Sequence, residues 1–264
     1  MTHNLAALLS SVVSRFYITL ILFLSFQFTF LFWVDPEHFL AYIILSVLVF
    51  MILVFVMSLL IRTNFFLQAQ HKLDSDHVML TFDDGPHPIN THRTLDILKE
   101  KGVKAMFFLI GKNVEQYPDV VERIVQEGHL VGGHSYSHQF SFGFIMGREL
   151  NREILRTQKI LSEITGQEEK YFRPPFGVTN AHIAYVVKAH ALKTIGWSLR
   201  TYDTATDFTS KKINQIIQKT RRGSIVLLHE RMDSTCDALP LLIDGIRNKG
   251  MEFGLLTPRN ETAK

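Results

Sequence analysis

Four short stretches carry the residue types that do chemistry, and each follows an apolar run. The first is Thr81-Phe82-Asp83-Asp84-Gly85-Pro86, which comes after the apolar run His77 to Leu80. Neighbouring side chains on a strand point to opposite faces, so two adjacent aspartates share one site only where the strand gives way to a turn. Gly85 and Pro86 mark that turn. Two carboxylates at a strand end suit acid–base work or cation binding. The second stretch is His134-Ser135-Tyr136-Ser137-His138. Histidines four apart fall on one face of a helical turn, and imidazole is a preferred ligand for zinc and related metals. With an aspartate they make a two-histidine, one-carboxylate set. Three protein ligands leave a coordination position open for water, the pattern of a catalytic site. The third is Arg173-Pro174-Pro175-Phe176-Gly177, an arginine on a stiff backbone, suited to hold and ionise a carboxylate by bidentate hydrogen bonds. The fourth is Leu227-Leu228-His229, which puts an imidazole able to donate a proton at the end of a buried strand. Taken singly, each stretch also reads as ordinary structure: a solvated turn, exposed or core histidines, a surface loop.

The elements that must position these groups alternate along the chain. Strands are expected at His77–Phe82, Val103–Ile110, Leu130–His134, Tyr171–Phe172, Leu192–Trp197, Ser224–Leu228 and Glu252–Leu255. Helical patterns lie between them at Thr91–Lys101, Tyr117–Glu127, Arg148–Thr165, Asn180–Ala189, Ser210–Lys219 and Asp237–Asn248. Gly102, Gly128, Gly166 and Gly250 stop helices, as glycine does just past a helix C-terminus. Alternating strands and helices predict an α/β fold with a parallel sheet. About seven such units would close into an irregular barrel, with chemistry on the loops at the carboxyl ends of the strands.

The chain has 264 residues, a formal charge of +3 and one cysteine, Cys236. The charge is too small to argue for nucleic acid, and a single cysteine excludes an intrachain disulfide and a thiolate zinc cluster. Before the alternating region, Phe16 to Val34 and Phe39 to Ile61 are free of Asp, Glu, Lys and Arg and are joined by Asp35-Pro36-Glu37-His38. Each is long enough to cross a hydrocarbon core of roughly 30 Å as a helix. The expected organisation is therefore an N-terminal segment 1–15, a transmembrane helical hairpin 16–61, a polar linker 62–76, a catalytic domain 77–258 and a tail 259–264. Arg15 and Arg62 flank the hairpin and its tip has no Lys or Arg, so the positive-inside rule places both termini and the catalytic domain on the cytoplasmic side.

Together, TFDDG, HSYSH, RPPFG and LLH resemble, in order and approximate spacing, the polysaccharide deacetylase family, the family 4 carbohydrate esterases with a NodB-like homology domain. The resemblance runs from about His77 to Thr257 and includes Phe107-Phe108 with Gly111, and Glu127-Gly128-His129. It implies a distorted (β/α) barrel and a divalent metal, usually zinc, with cobalt, manganese and nickel as alternatives. It implies Asp84, His134 and His138 as metal ligands, Asp83 as general base with Arg173 orienting it, and His229 as general acid. Asp203 sits where the family has an aspartate supporting the active-site histidine or arginine. Pro175, Phe176, Gly177 and Tyr136 are the implied substrate contacts. Thr204 replaces the family's usual tryptophan, and Arg200 stands at an acidic position, departures that fall on the substrate groove.

The implied activity is metal-dependent hydrolysis of N-acetyl groups on amino sugars of a polysaccharide, peptidoglycan or another glycan. Family habit puts such an enzyme outside the membrane. A cytoplasmic orientation instead suits a lipid-linked amino sugar such as an undecaprenyl-phosphate intermediate. A reading of another class is an inactive, membrane-tethered sugar-binding protein, whose mark would be loss of a ligand or of the base. None is lost. A zinc peptidase is disfavoured, because the His-Glu-x-x-His motif is missing.

Overall fold

The computed structural model describes residues 15–30, 32–205 and 208–256. The expected segment ahead of residue 15 and the tail 259–264 lie outside the described residues.

Eight strands form one parallel sheet: β1 (Ala69–Gln70), β2 (Met79–Gly85), β3 (Met106–Leu109), β4 (Leu130–Gly133), β5 (Tyr171–Phe172), β6 (Lys193–Ile195), β7 (Leu199–Arg200) and β8 (Ile225–Leu228), in the spatial order β1-β6-β5-β4-β3-β2-β8-β7. The helices around it are α3 (Asn90–Glu100), α4 (Gly111–Gln116), α5 (Pro118–Gln126), α6 (Gly147–Thr165), α7 (Ala181–Ala189), α8 (Ser210–Lys219) and α9 (Asp233–Arg247), preceded by α1 (Arg15–Phe30) and α2 (Phe39–Ser58). Because every ladder is parallel, all strand ends of one kind gather on one face. The sheet curls but does not close as a regular barrel. Among the described residues its edges β1 and β7 do not pair with each other; a bridge between Lys72 and Ser224 and a hydrogen bond from the Leu73 N–H to the Gly223 carbonyl at 2.9 Å tie the two sides.

Strand alternation divides the core in two. Phe82 and Phe107 pack on the side of Leu95, Leu98 and Ile124, while Met79, Met106 and Phe108 face Phe142, Phe172 and Trp197. Each fully buried large apolar side chain contributes about 1.5–3 kcal/mol relative to exposure, so both faces of the central strands anchor the scaffold.

Two expectations are corrected. The stretch 62–76 is not a polar linker: Phe65, Phe66, Leu67, Ala69 and Leu73 are buried, and Ala69–Gln70 add a strand to the sheet edge. Glu252–Leu255 is not a strand, and pairs only through a bridge between Val78 and Phe253. Two short elements, β7 and α4, were not expected. Gly166 takes a φ of 69° where it closes α6, as its position predicts.

Among the described residues, one helix, α2, is long and apolar enough to cross a membrane. The sixteen residues of α1 are apolar but span only about 24 Å at 1.5 Å per residue. The two helices run antiparallel, with Phe23 stacked on Phe50 at 4.3 Å and Phe30 on Tyr42 at 4.9 Å. Arg15 Nη1 donates to the Thr63 carbonyl at 2.6 Å, so both basic flanks lie at the end joined to the sheet domain.

Candidate active site

The two aspartates converge through a bulge inside β2. Asp83 pairs with Phe108 but Gly85 pairs with Leu109, leaving Asp84 as an extra residue with a φ of 73°. A bulge re-aims side chains that would otherwise alternate. Asn113 Nδ2 donates to the Asp84 carbonyl at 3.1 Å and the Ile110 N–H to the Gly85 carbonyl at 2.8 Å, fixing this backbone. Asp83 is buried, and Asp84 is partly open.

His134 follows β4 and His138 follows it in a loop, not in the helical turn expected from their spacing. Ser135 and His138 take positive φ values of 62° and 50°, which folds the segment back and brings the two rings to 4.9 Å. The Gly111 N–H donates to the Ser135 carbonyl at 3.0 Å, and the His138 N–H to Ser135 Oγ at 3.1 Å. His134 Nδ1 lies 2.7 Å from the Arg173 carbonyl. A carbonyl only accepts, so Nδ1 carries the proton and Nε2 presents its lone pair. That Nε2 lies 3.6 Å from Asp84 Oδ1, and His138 Nε2 lies 3.2 Å from the same oxygen. Burial, and next His138, pull the His134 pKa down to about 3, so its imidazole stays neutral. One donor atom from each of Asp84, His134 and His138 lies within 4.8 Å of the others. Two imidazoles and a carboxylate, one imidazole locked by a backbone carbonyl, are a donor set that fits a divalent cation.

Arg173 follows β5 and is completely buried. Its fork is spent on four acceptors: Ile195 O at 2.9 Å, Gly196 O at 2.8 Å, Thr81 Oγ1 at 2.9 Å and Asp83 Oδ1 at 2.6 Å. The contact with Asp83 is therefore through one oxygen rather than bidentate as expected. The guanidinium also lies 4.0 Å from the Phe108 ring centre.

His229 follows β8. Its Nδ1 lies 2.8 Å from Asp203 Oδ1, and its backbone N–H donates to Asp203 Oδ2 at 2.7 Å. Thr201 and Thr235 hydroxyls complete the aspartate's bonds at 3.0 and 2.9 Å. Burial pushes the Asp203 carboxyl up, but the bonds from His229 and Thr235 outweigh it and hold the group below its ordinary value. Burial likewise opposes the His229 imidazolium, yet Asp203 prevails and the pKa is raised.

Asp83, Asp84, His134, His138 and His229 line one cleft of about 390 Å³. Phe176, Gly177, Trp197, Arg200 and Thr204 form part of its wall. Gly177 has a φ of 70°, and a Cβ there would meet Trp197 Cη2 at 2.4 Å. Tyr136 does not reach the cleft: its ring lies against Gly111, and its hydroxyl donates to Glu115 at 2.8 Å. Pro175 is buried and shapes the loop rather than the cleft wall.

Two site residues escaped the sequence reading. Arg231 Nε lies 3.1 Å from Asp84 Oδ2 on the open side of the cleft. Glu230 is buried beneath Gly85, where a Cβ would come within 1.8 Å of its Oε1. Both follow His229 directly, in a Glu-Arg pair that was legible as charge at a strand end.

The polysaccharide deacetylase family model matches residues 70–195. A peptidoglycan-N-acetylglucosamine deacetylase of Bacillus cereus is 33% identical over 192 residues, covering 71% of this chain and 69% of the relative. A chitooligosaccharide deacetylase of Azorhizobium caulinodans is 34% identical over 163 residues, covering 61% of this chain and 77% of that protein. The crystal structure of the Bc1960 peptidoglycan N-acetylglucosamine deacetylase superposes with a TM-score of 0.63 at 32% identity, covering 70% of this chain and 88% of that one. The chain belongs to the polysaccharide deacetylase family, family 4 of the carbohydrate esterases. It is a deacetylase acting on amino-sugar N-acetyl groups, in a family of divalent-metal enzymes.

Proposed function

We propose that the protein hydrolyses the N-acetyl amide of glucosamine-type residues in a glycan, with zinc held by Asp84, His134 and His138. The observation that carries this reading is the placement of two oppositely built ion pairs, Arg173–Asp83 and Asp203–His229, in the cleft that holds the three donors. A divalent cation at that point supplies Lewis acidity. Asp83, held by the Arg173 guanidinium at 2.6 Å, takes the proton of the attacking water. His229, protonated and aligned by Asp203, delivers a proton to the leaving nitrogen, which would otherwise depart as a very poor anion. The oxyanion needs a donor. Pro174 and Pro175 have no N–H, and those of Arg173 and Gly177 are spent on the Gly133 and Pro174 carbonyls, which leaves the Phe176 N–H for this role. Phe176 holds a φ of 59° in that turn. An inactive sugar-binding protein is disfavoured because ligands, base and acid are all present.

We also read α1 and α2 as a membrane hairpin whose basic flanks, Arg15 and Arg62, put the catalytic domain on the cytoplasmic side. The test of the activity is acetate and amine release by the full-length protein in detergent, from N-acetylglucosamine oligomers and peptidoglycan. Release that stops with chelator and returns with zinc supports the reading. Activity unaffected by chelation to a metal-free state overturns it.

A further inference from the structure

The cleft opens beside the end of the membrane-length helix, and the surface between them is apolar. The Thr179 N–H donates to the Ser58 carbonyl, the last residue of α2, at 2.8 Å. Thr179 lies three positions after Phe176, which forms part of the cleft wall and sits 4.7 Å from the His138 ring. The next residue, Asn180, donates through Nδ2 to the Gly143 carbonyl at 2.8 Å. Gly143 lies in a short 3-10 helix, Phe140–Phe144, whose Phe142 is fully buried with Ile145 beside it. On this anchored segment the remaining large side chains point outward: Phe140 is 92% exposed, Phe144 80% and Met146 58%. Phe140 stacks on Phe176 at 5.5 Å, so the apolar surface is continuous from the cleft to the segment beside α2.

The path from helix to domain is short and packed. Ile61, Phe65 and Phe66 are buried within eight residues of Ser58, and Phe16 of α1 packs on both phenylalanines at 5.9 and 5.0 Å. The domain cannot swing freely on such a connection. A set of exposed apolar side chains at the foot of an apolar helix suits the interfacial region of a bilayer.

We infer that Phe140, Phe144 and Met146 dip into the same bilayer that α2 enters, and that the cleft therefore works on an N-acetylated amino sugar carried on a lipid at the membrane surface. This substrate class rests on the deacetylase reading above; the membrane contact does not. The occupant of the surface is the lipid bilayer, and the bound sugar enters alongside Phe176 and Phe140.

The test uses full-length protein in phosphatidylcholine–phosphatidylglycerol vesicles containing brominated lipids. An environment-sensitive fluorophore is attached at Phe144→Cys, at Leu48→Cys within α2, or at Glu100→Cys. Glu100 ends α3, at the opposite end of the strands from the cleft. Cys236 is buried and stays unlabelled. Quenching at 144 and 48 but not at 100 is expected. Quenching at 48 alone, or at none of the three, overturns the proposal. In a second arm, Phe144→Ser/Met146→Ser is assayed on an N-acetylglucosaminyl diphospho-lipid in vesicles and on a soluble chitooligosaccharide. The expected loss is about tenfold on the lipid substrate alone, since membrane attachment scales with apolar area buried. Equal losses on both substrates, or none, overturn the substrate class. If the wild type turns over neither substrate with zinc present, the deacetylase reading fails, while the quenching pattern still decides the membrane contact.

Discussion

Two ion pairs line the cleft and are built in opposite senses. In Arg173–Asp83 the cation is sealed, with its side chain 0% exposed and the carboxylate 5%. In Asp203–His229 the anion is sealed at 0%, and the imidazole is 12% exposed. The sealed member of each pair has its hydrogen bonds filled by backbone and hydroxyl groups. The open member keeps one face toward the cleft. On the proposed reading, the sealed charge holds its partner in place, and the partner meets the substrate. On that reading the base and the acid share one small site because each has its own buried counter-charge.

The largest effect that tests this comparison comes from Asp83→Asn. Loss of a general base lowers kcat by about 10²–10⁴. Because the change also strands the Arg173 charge, the variant should lose about 3–5 kcal/mol of stability as well. Bound metal, measured by elemental analysis, should stay at the wild-type ratio, since Asp83 lies outside the donor set. An active Asp83→Asn enzyme would break the assignment of roles.

Asp203→Asn probes the other pair, with an expected fall in kcat of about 10² as the acid loses its alignment. The sign of the pH effect follows from the raised His229 pKa. An acid that must be protonated loses activity as pH rises through its pKa. Removing the anion that raises it should move the alkaline limb of the kcat profile to lower pH. An unmoved limb would show that His229 is not the group titrating there.

Glu230 sharpens the contrast, as a buried carboxyl with no cation partner among the described residues. One oxygen accepts from the Thr91 hydroxyl at 3.1 Å, and burial pushes its pKa up to about 8. Its folded pKa lies above the ordinary 4.5, so its contribution to stability is complete below pH 4.5 and is lost as pH rises through 8. The loss amounts to at most roughly 4–5 kcal/mol for this shift. Glu230→Gln should be less stable than wild type at pH 5, by about 1–3 kcal/mol for a misplaced buried amide. The gap should close as pH rises and reverse in sign by about pH 8. Chemical denaturation at several pH values measures it, and parallel curves for the two proteins would count against a neutral Glu230.

What was legible in the sequence was local. Aspartates beside a glycine after an apolar run, and an arginine before two prolines, mark strand ends without any knowledge of the partner strands. Helix stops such as Gly166 are equally local. What was not legible depends on distant pairing. The two-residue β1 exists only because Thr194 and Ile195 complete its ladder, and Glu252–Leu255 fails as a strand because only Val78 is beside it. The apolar cluster Phe65-Phe66-Leu67 was in view, but its neighbouring polar residues made the stretch read as a linker. The spacing of His134 and His138 suggested a helical face, whereas left-handed backbone at Ser135 and His138 does the work. Glu230 reads in the sequence as a solvated charge at a strand end, and only the Gly85 backbone lying on it shows that it is buried.

Tyr136 carries the smallest effect and the clearest separation between motif and site. It lies between His134 and His138 in sequence, and the family resemblance implies it as a substrate contact. In space the positive φ at Ser135 turns the backbone, and the ring packs on Gly111 at the start of α4. Its hydroxyl donates to Glu115, a bond that raises the tyrosine pKa, and Arg156 lies 3.8 Å above the ring. These contacts are on the outer surface, where substitutions usually matter little. Tyr136→Phe should therefore leave kcat/KM within about twofold of wild type, whereas Phe176→Ala, which opens the cleft wall and frees the donor loop, should raise KM by about tenfold or more. A large KM effect from Tyr136→Phe would mean that the substrate extends past the cleft toward Glu115, and would reinstate the sequence assignment over the geometric one.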